Sequence, residues 1–356
     1  MVVKTNEHLP SPPWERFPST RYQGSKRKLL PLLAEVFEAL EFDTALDPFS
    51  GTGAVSYLLK CLSKKVHSSD ALEFNAVSAA GLVTNQQVTL GSAVDELVSG
   101  LPSADAPAGF VERTYDEIFF EPDENRFVDQ ILPRIHELPS SARVLALHAL
   151  GQACLAKRPY NLFHRANLSM RRRDVSRSFG NKTTWDTPFA DLIQRFAAEA
   201  NGAIFDSGRA CSSARADIAD VDLASADLVY LDPPYVAGSG TGVDYLDFYH
   251  FLEGICAPEG WAERVLHRYK HKPLDGRGKS PWADPRRIGA VFADTIGRSG
   301  RSIVVVSYRS DGVPGVEEIT GFLTRAGKSV ELVDAGKYTY ALSRNRRTRE
   351  VILIGR

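Results

Sequence analysis

Cysteine is scarce in this chain. Cys61, Cys154, Cys211 and Cys256 stand far apart with no Cys-x-x-Cys pair, so neither a cysteine zinc site nor a disulfide framework is indicated. Reduced thiols in a cytosolic protein are the simplest reading. Long apolar runs are missing as well. The most apolar stretch, residues 144–156, carries His148 and Gln152 and is too short to cross a bilayer. The opening MVVKTNEHLPSPPWERF holds no apolar signal segment, and no internal repeat or low-complexity tract is visible. Net charge is almost nil, −1 from 43 basic and 44 acidic residues. A neutral total says nothing about nucleic acid, because a local basic face can hide inside it. The expectation is a cytoplasmic protein with no membrane segment.

What is present suffices for one large domain or two ordinary ones: 356 residues, 43% of them hydrophobic. Leu29, Leu32, Leu33, Val36, Phe37 and Leu40 recur at helical spacing. Residues 44–46 form a short apolar run ending at Asp47, followed by a glycine loop and a helix-like segment, 54–62. A second short strand, 65–69, ends at Asp70, with a helix over 73–84. Strand, glycine loop and helix open a nucleotide-type α/β unit. From about 86 to 205 the chain reads as helices and loops, with Ile204 and Phe205 as a strand end leading to Asp217. Buried strands follow at 227–231 and 302–307. The alternation over 329–333, 338–342 and 351–354, with a basic turn at 344–349, predicts an antiparallel hairpin at the sheet edge. The expected organisation is a flexible arm (1–20), a catalytic domain (21–85 and 205–356) and an insert (86–204).

Two motifs carry chemistry. In Asp47-Pro48-Phe49-Ser50-Gly51-Thr52-Gly53 the glycines let backbone approach a ligand, and the helix behind them offers free N–H groups. The loop lacks both the phosphate-binding Gly-x-x-x-x-Gly-Lys spacing and the third glycine of the dinucleotide fingerprint. Asp70 falls where an acid accepts hydrogen bonds from ribose hydroxyls. A cofactor with a ribose and a carboxylate but no phosphate fits best, and S-adenosylmethionine is such a molecule. Upstream, in Tyr22-Gln-Gly-Ser-Lys26, Lys26 is placed to pair with the methionine carboxylate and Tyr22 to pack over the cofactor; alone, the block reads as a helix cap. Downstream, Asp232-Pro233-Pro234-Tyr235 ends a strand with a carboxylate, a carbonyl that proline keeps out of a helix, and an aromatic face. Those parts suit gripping a flat amino-bearing ring.

In this order the blocks resemble the amino-group DNA methyltransferases, specifically the Dam-like adenine-N6 group. Further matches are Tyr245-x-x-Phe-Tyr-His-Phe-Leu-Glu253, Ser307-Tyr-Arg-Ser-Asp-Gly312, Lys157-Arg-Pro-Tyr-Asn-Leu-Phe-His-Arg165, Ser178-Phe-Gly-Asn-Lys-Thr-Thr-Trp185 and the closing Tyr338…Glu350-Val-Ile-Leu-Ile354. The leader of Asp47-Pro-Phe-Ser-Gly departs from the usual pattern. The resemblance implies a Rossmann-like sheet with a C-terminal antiparallel hairpin and an inserted, mainly helical recognition domain. It implies that Asp232 and the Pro233 carbonyl accept hydrogen bonds from the target amino group while Tyr235 stacks on a flipped base. Asp217 would bond the cofactor's adenine amino group and Phe49 would line its pocket. Double-stranded DNA is the implied partner, in restriction–modification or a related self-marking system with a cognate endonuclease or other defence subunit. Rival readings are a cytosine-N4 or RNA amino-methyltransferase, against which Asp232 tilts since Ser-Pro-Pro-Tyr is the usual cytosine form, and a non-catalytic DNA-binding subunit.

Lys157, Arg158, Arg165, Arg171, Arg172, Arg173, Arg177 and Lys182 face one acid, Asp174, with Phe163, His164, Phe179 and Trp185 interleaved. That concentration predicts a phosphate-binding face; the alternative is a solvated loop paired with the acidic stretch 112–124. A second basic patch spans 264–287. His267 and His271 lack a third ligand and read as part of it. Tyr245, Phe248, Tyr249 and Phe251 read as packing.

Overall fold

Strands whose residues are buried on both faces need cover on both sides, and Leu228–Leu231 is such a strand. The computed structural model describes residues 12–175, 181–237, 242–276, 278, 280–337 and 349–356. Its nine strands are β1 (Thr44–Asp47), β2 (Lys65–Asp70), β3 (Ser212–Arg215), β4 (Leu228–Leu231), β5 (Val236–Ala237), β6 (Ile303–Arg309), β7 (Gly312–Val313), β8 (Val330–Lys337) and β9 (Arg349–Gly355). Seven form one sheet in the order β3-β2-β1-β4-β6-β9-β8. The first five are parallel, and β9 runs antiparallel to both neighbours. β5 and β7 make a separate antiparallel pair.

The period of two along each strand divides the interior. Ala45, Leu228, Tyr230 and Val305 face a core shared with helices Leu30–Glu38 and Ala54–Cys61. Leu46, Val229, Leu231, Val304 and Val306 face a second core, covered by helices Ile288–Arg298 and Val316–Arg325. This is a mostly parallel, Rossmann-like α/β sheet with helices on both faces. Strand order reverses between β1 and β4, which opens a crevice at their carboxyl ends. Asp47 and Asp232 stand there.

The segment 86–204 is mainly helical and belongs to the first core rather than to a core of its own. Helix Ser140–Ala156 packs against Phe189–Ala203 and against Glu73–Ala79. The second contact is so close that a Cβ on Gly151 would lie 2.2 Å from the Phe74 ring. A cluster of rings (Tyr115, Phe119, Phe163, Phe251 and Trp261) ties the segment to helix Tyr245–Cys256.

One expectation is corrected, and the expected antiparallel hairpin is present at the sheet edge. Ile204 and Phe205 are the run-out of helix Phe189–Ala203, with Phe205 edge-on to Tyr57; the strand is β3, Ser-Ser-Ala-Arg, an edge strand with no apolar signal. The arm is anchored where it is described: Pro13–Arg16 forms a 3-10 turn, and Phe17, 1% exposed, packs on Tyr57. In the hairpin β9 lies inside and β8 takes the edge, because Val351–Ile354 is buried on both faces. Residues 338–348, including its expected middle strand, lie outside the described residues. Among the described residues no helix is long and apolar enough to cross a membrane, and no group of three or more His, Cys, Asp or Glu could hold a metal ion.

Candidate active site

The glycine loop folds back onto the end of β2. Ser50 N donates to Ser69 O at 3.0 Å and Gly51 N to Asp70 Oδ2 at 2.9 Å, while Leu72 N donates to Asp70 Oδ1 at 2.9 Å. Gly51 and Gly53 hold φ of +50° and +81°, where a side chain is strained. They do different work. A Cβ on Gly51 would face Tyr22, 3.7 Å from its ring, whereas one on Gly53 would face Ala79 and Val83 in the helix behind the loop.

Asp47 to Thr52, together with Tyr22, Lys26, Asp70, Asp217 and Asp232 to Tyr235, line one cavity of about 350 Å³. The glycine-loop block and the Asp-Pro-Pro-Tyr block therefore meet in one space; of the residues expected at the cofactor and the target base, Gly53 is set back from it. Tyr22 stacks on Tyr249 at 4.5 Å and on Tyr245 at 5.7 Å, and its hydroxyl accepts from Asn75 Nδ2. Tyr249 and Phe251 are packing residues, but Tyr245 also lines the cavity. Asp217 caps the turn Ile218–Asp220 through Ala219 N and stands on the cavity rim.

Asp47 is the most telling carboxylate. It is 1% exposed, its Oδ2 accepts from Ser56 Oγ at 2.6 Å, and its Oδ1 has no hydrogen-bond partner. Burial pushes its pKa up to about 7; the Ser56 bond opposes this, and the charges of Asp232 and Asp70 add to it. Asp70 is also raised, by burial, against the bonds from Leu72 and Gly51.

Lys26, expected at the methionine carboxylate, lies against the Asp232–Tyr235 turn. Its Nζ lies 2.6 Å from Asp232 Oδ1 and 3.4 Å from Glu350 Oε1, and it donates to the Tyr235 hydroxyl. The Tyr235 hydroxyl is 2.9 Å from Asp232 Oδ1 and 2.8 Å from Glu350 Oε1, so its one proton serves one of two carboxylates. Burial raises the Asp232 pKa, Lys26 holds it down, and the Glu350 charge raises it again.

Two residues escaped the sequence reading. Trp282, buried and edge-on to Phe49 at 4.9 Å, closes the cavity beside the glycine loop; no local spacing announces a contact so distant in sequence. Glu350 had a visible signal, an acid opening the apolar run Val351–Ile354, but its partners lie on other elements.

The basic segment divides. Arg158, 1% exposed, donates to the carbonyls of Leu162, Phe119 and Arg165 and to Asn167 Oδ1, with its guanidinium 4.5 Å from the Phe119 ring. Arg171 forks onto Glu124 at 2.6 and 2.7 Å, and Lys157 reaches Glu124 and Trp185 O. Arg172 bonds Glu117 and Glu121. Lys157, Arg158 and Arg171 are engaged inside the fold and Arg172 at its surface, three of the four by the acidic stretch 112–124. Arg165 and Arg173 are exposed, and Lys182 is exposed in an ion pair with Asp186; Arg177 and Phe179 lie outside the described residues. His271 pairs with Asp247 at 3.0 Å.

The model of the D12 class N6 adenine-specific DNA methyltransferases matches residues 22–255, from Tyr22 through Asp232–Tyr235 to the end of the aromatic helix. The type II methyltransferase M2.HphI of Haemophilus parahaemolyticus is 25% identical over 332 residues, 90% of this chain and 91% of that protein. The type II methyltransferase M.FokI of Planomicrobium okeanokoites is 31% identical over 104 residues, 28% of this chain and 14% of that one. A glycine loop and an Asp-Pro-Pro-Tyr turn that share one cavity at the sheet's switch point fit this match, and the chain belongs to the D12 class of N6 adenine-specific DNA methyltransferases.

Proposed function

We propose that the chain transfers a methyl group from S-adenosylmethionine to the N6 of an adenine flipped out of double-stranded DNA. The observation that carries the cofactor is Asp47 Oδ1, a buried carboxylate oxygen without a partner in the cavity wall. A charge so placed calls for a cation, and the α-ammonium of the methionine moiety supplies one. Asp70 and Asp217 on the rim suit the ribose and the adenine amino group, and Phe49 with Trp282 suits the ring.

When bound, held by Asp47, Asp70 and Asp217, the cofactor would supply an electrophilic methyl on positive sulfur for the amino nitrogen, with a neutral thioether as leaving group and the surplus amino proton passing to solvent. The protein's share is positioning and electrostatics. Asp232 and the Pro233 carbonyl accept from the amino group, draw it towards pyramidal geometry and take up the developing charge. Pro234 fixes the turn, and Tyr235 offers a ring for the base, a contact worth about 1–3 kcal/mol in single-strand binders. A paired adenine cannot reach this cavity, so the base leaves the stack.

The segment 86–204 is proposed as the target-reading region. Arg165 and Arg173 are among its exposed cations, and Tyr160 is 56% exposed at a φ of +63° on the turn Pro159–Asn161. The type II names of the relatives favour restriction–modification with a cognate endonuclease. The test is sequencing for methyladenine in DNA from a methylation-free bacterium expressing wild type or Asp232→Ala. Methyladenine in one short motif, absent with the variant, is the expected result; modification that persists in the variant would sink the assignment of Asp232.

A further inference from the structure

Glu350 opens β9 with a carboxylate that solvent does not reach, 0% exposed. Because β9 is antiparallel, its first residues emerge where the parallel strands end; register sets Glu350 opposite Arg309 at the end of β6. There Glu350 Oε1 accepts from Ser307 Oγ at 2.8 Å and lies 2.8 Å from the Tyr235 hydroxyl. Lys26 Nζ stands between two carboxylates, 2.6 Å from Asp232 and 3.4 Å from Glu350. An apolar side chain would fill a buried strand position at lower cost than an acid. The acid's contacts run to the catalytic turn.

Electrostatics give it a task. During methyl transfer the positive charge passes from sulfur to N6 beside Asp232 and remains until the proton leaves. A lysine ammonium held on Asp232 alone makes a neutral pair, which stabilises that charge poorly. With Glu350 the trio of Lys26, Asp232 and Glu350 carries a net charge of −1.

We propose that Glu350 is a positioning residue for methyl transfer, the second seat that draws the Lys26 ammonium off Asp232 so that Asp232 meets the target amino group as a full carboxylate. The inference rests on Asp232 as the acceptor of that amino group. Asp232 is faced by Lys26 from the turn Lys26–Leu29, by Asp47 from β1, by Tyr230 and Tyr235 from β4 and its loop, by Tyr245 from the aromatic helix, and by Glu350 from β9. Lys26 lowers its pKa and Glu350 raises it. Neutralising Glu350 removes a negative charge beside Asp232 and a competitor for Lys26, so the Asp232 proton comes off at lower pH.

The experiment compares wild type, Glu350→Gln and Glu350→Asp in the full chain, with methyl-labelled S-adenosylmethionine and genomic DNA lacking adenine methylation. Glu350→Gln lowers kcat about 10-fold or more, leaves the cofactor dissociation constant within about 3-fold, and moves the acid limb of the pH–rate profile to lower pH. Glu350→Asp, which keeps the charge, recovers part of kcat with the limb near its wild-type position. Unchanged kcat in Glu350→Gln, or a loss with an unmoved limb, overturns the proposal. If Glu350→Gln does not fold, Glu350→Asp decides: kcat below a tenth of wild type with cofactor binding intact overturns it. Wild-type enzyme that leaves adenine unmodified would instead refute the reading of Asp232 itself, and the role of Glu350 with it.

Discussion

At Asp47 a buried carboxylate waits on a charge from outside the protein. Its raised pKa, about 7, sets a sign. Below that pH the carboxyl in the free protein is protonated, and an ammonium-bearing cofactor must first displace the proton. Affinity for S-adenosylmethionine therefore rises with pH up to about 7, by at most about 10-fold per unit, and levels off above. Titration calorimetry across that range checks it: the wild type takes this slope with proton release, and Asp47→Asn binds weakly with no slope. A slope that survives Asp47→Asn assigns the proton elsewhere. Folding carries the opposite sign. A carboxyl raised in the folded state costs nothing while protonated in both states, and stability falls as pH climbs from the unfolded value towards about 7. At this scale the sequence was legible where consecutive residues build the cavity wall, as in Asp47–Thr52 and Asp232–Tyr235. It was illegible where function is a pairing. Lys26 could be recognised as a site residue, but that its ammonium meets Asp232 depends on two turns brought together by the sheet.

Elements place these residues, and two glycines show how. Gly51 lets Tyr22 approach the loop, while Gly53 lets the helix Ala54–Cys61 close on the helix Glu73–Ala79; a bulky residue at 53 would disturb the packing behind the loop before it reached the cofactor. Gly151 does similar work further out. Its absent side chain admits the Phe74 ring, and Phe74 N together with Glu73 N is held by Glu253 at 3.0 Å from the aromatic helix. Gly151→Ala inserts a methyl into that contact, and overpacking of this kind costs about 1–3 kcal/mol. Urea unfolding should show the loss, with the cofactor dissociation constant raised as well, since the displaced helix follows directly on Asp70. A variant as stable as wild type would mean that the two helices slide apart without strain. Buried strands such as β4 were legible from their unbroken apolar run. The edge strand β3 was not, because Ser-Ser-Ala-Arg is held by backbone pairing with β2 and carries no pattern of its own.

Across the whole molecule, charge proved a poor guide to surface. Lys157, Arg158, Arg171 and Arg172 look in sequence like a phosphate-binding run, yet Glu117, Glu121, Glu124 and backbone carbonyls engage them; a residue count cannot tell a buried guanidinium from a solvated one. The DNA prediction shifts accordingly. Arg165→Ala and Arg173→Ala should each reduce the salt dependence of DNA binding by about one counterion in slope, with folding intact. Arg171→Ala should leave buried Glu124 with Lys157 in place of a bidentate arginine and lower stability by about 1.5–3 kcal/mol. Salt titrations of DNA binding beside urea melts separate the two classes, and a slope unmoved by the exposed pair would place the phosphates on another face. The antiparallel strand β9 has one more consequence, for time rather than chemistry. Lys26 and Asp232 are separated by 206 residues, and Glu350 joins them from still further along the chain. Loop closures of that span are slow, and a ribosome has to deliver residue 350 before the last partner can dock. The nascent chain therefore completes the Lys26–Asp232–Glu350 network last, and a fragment ending before β9 would lack both an inner strand of the sheet and the carboxylate behind the Asp232–Tyr235 turn.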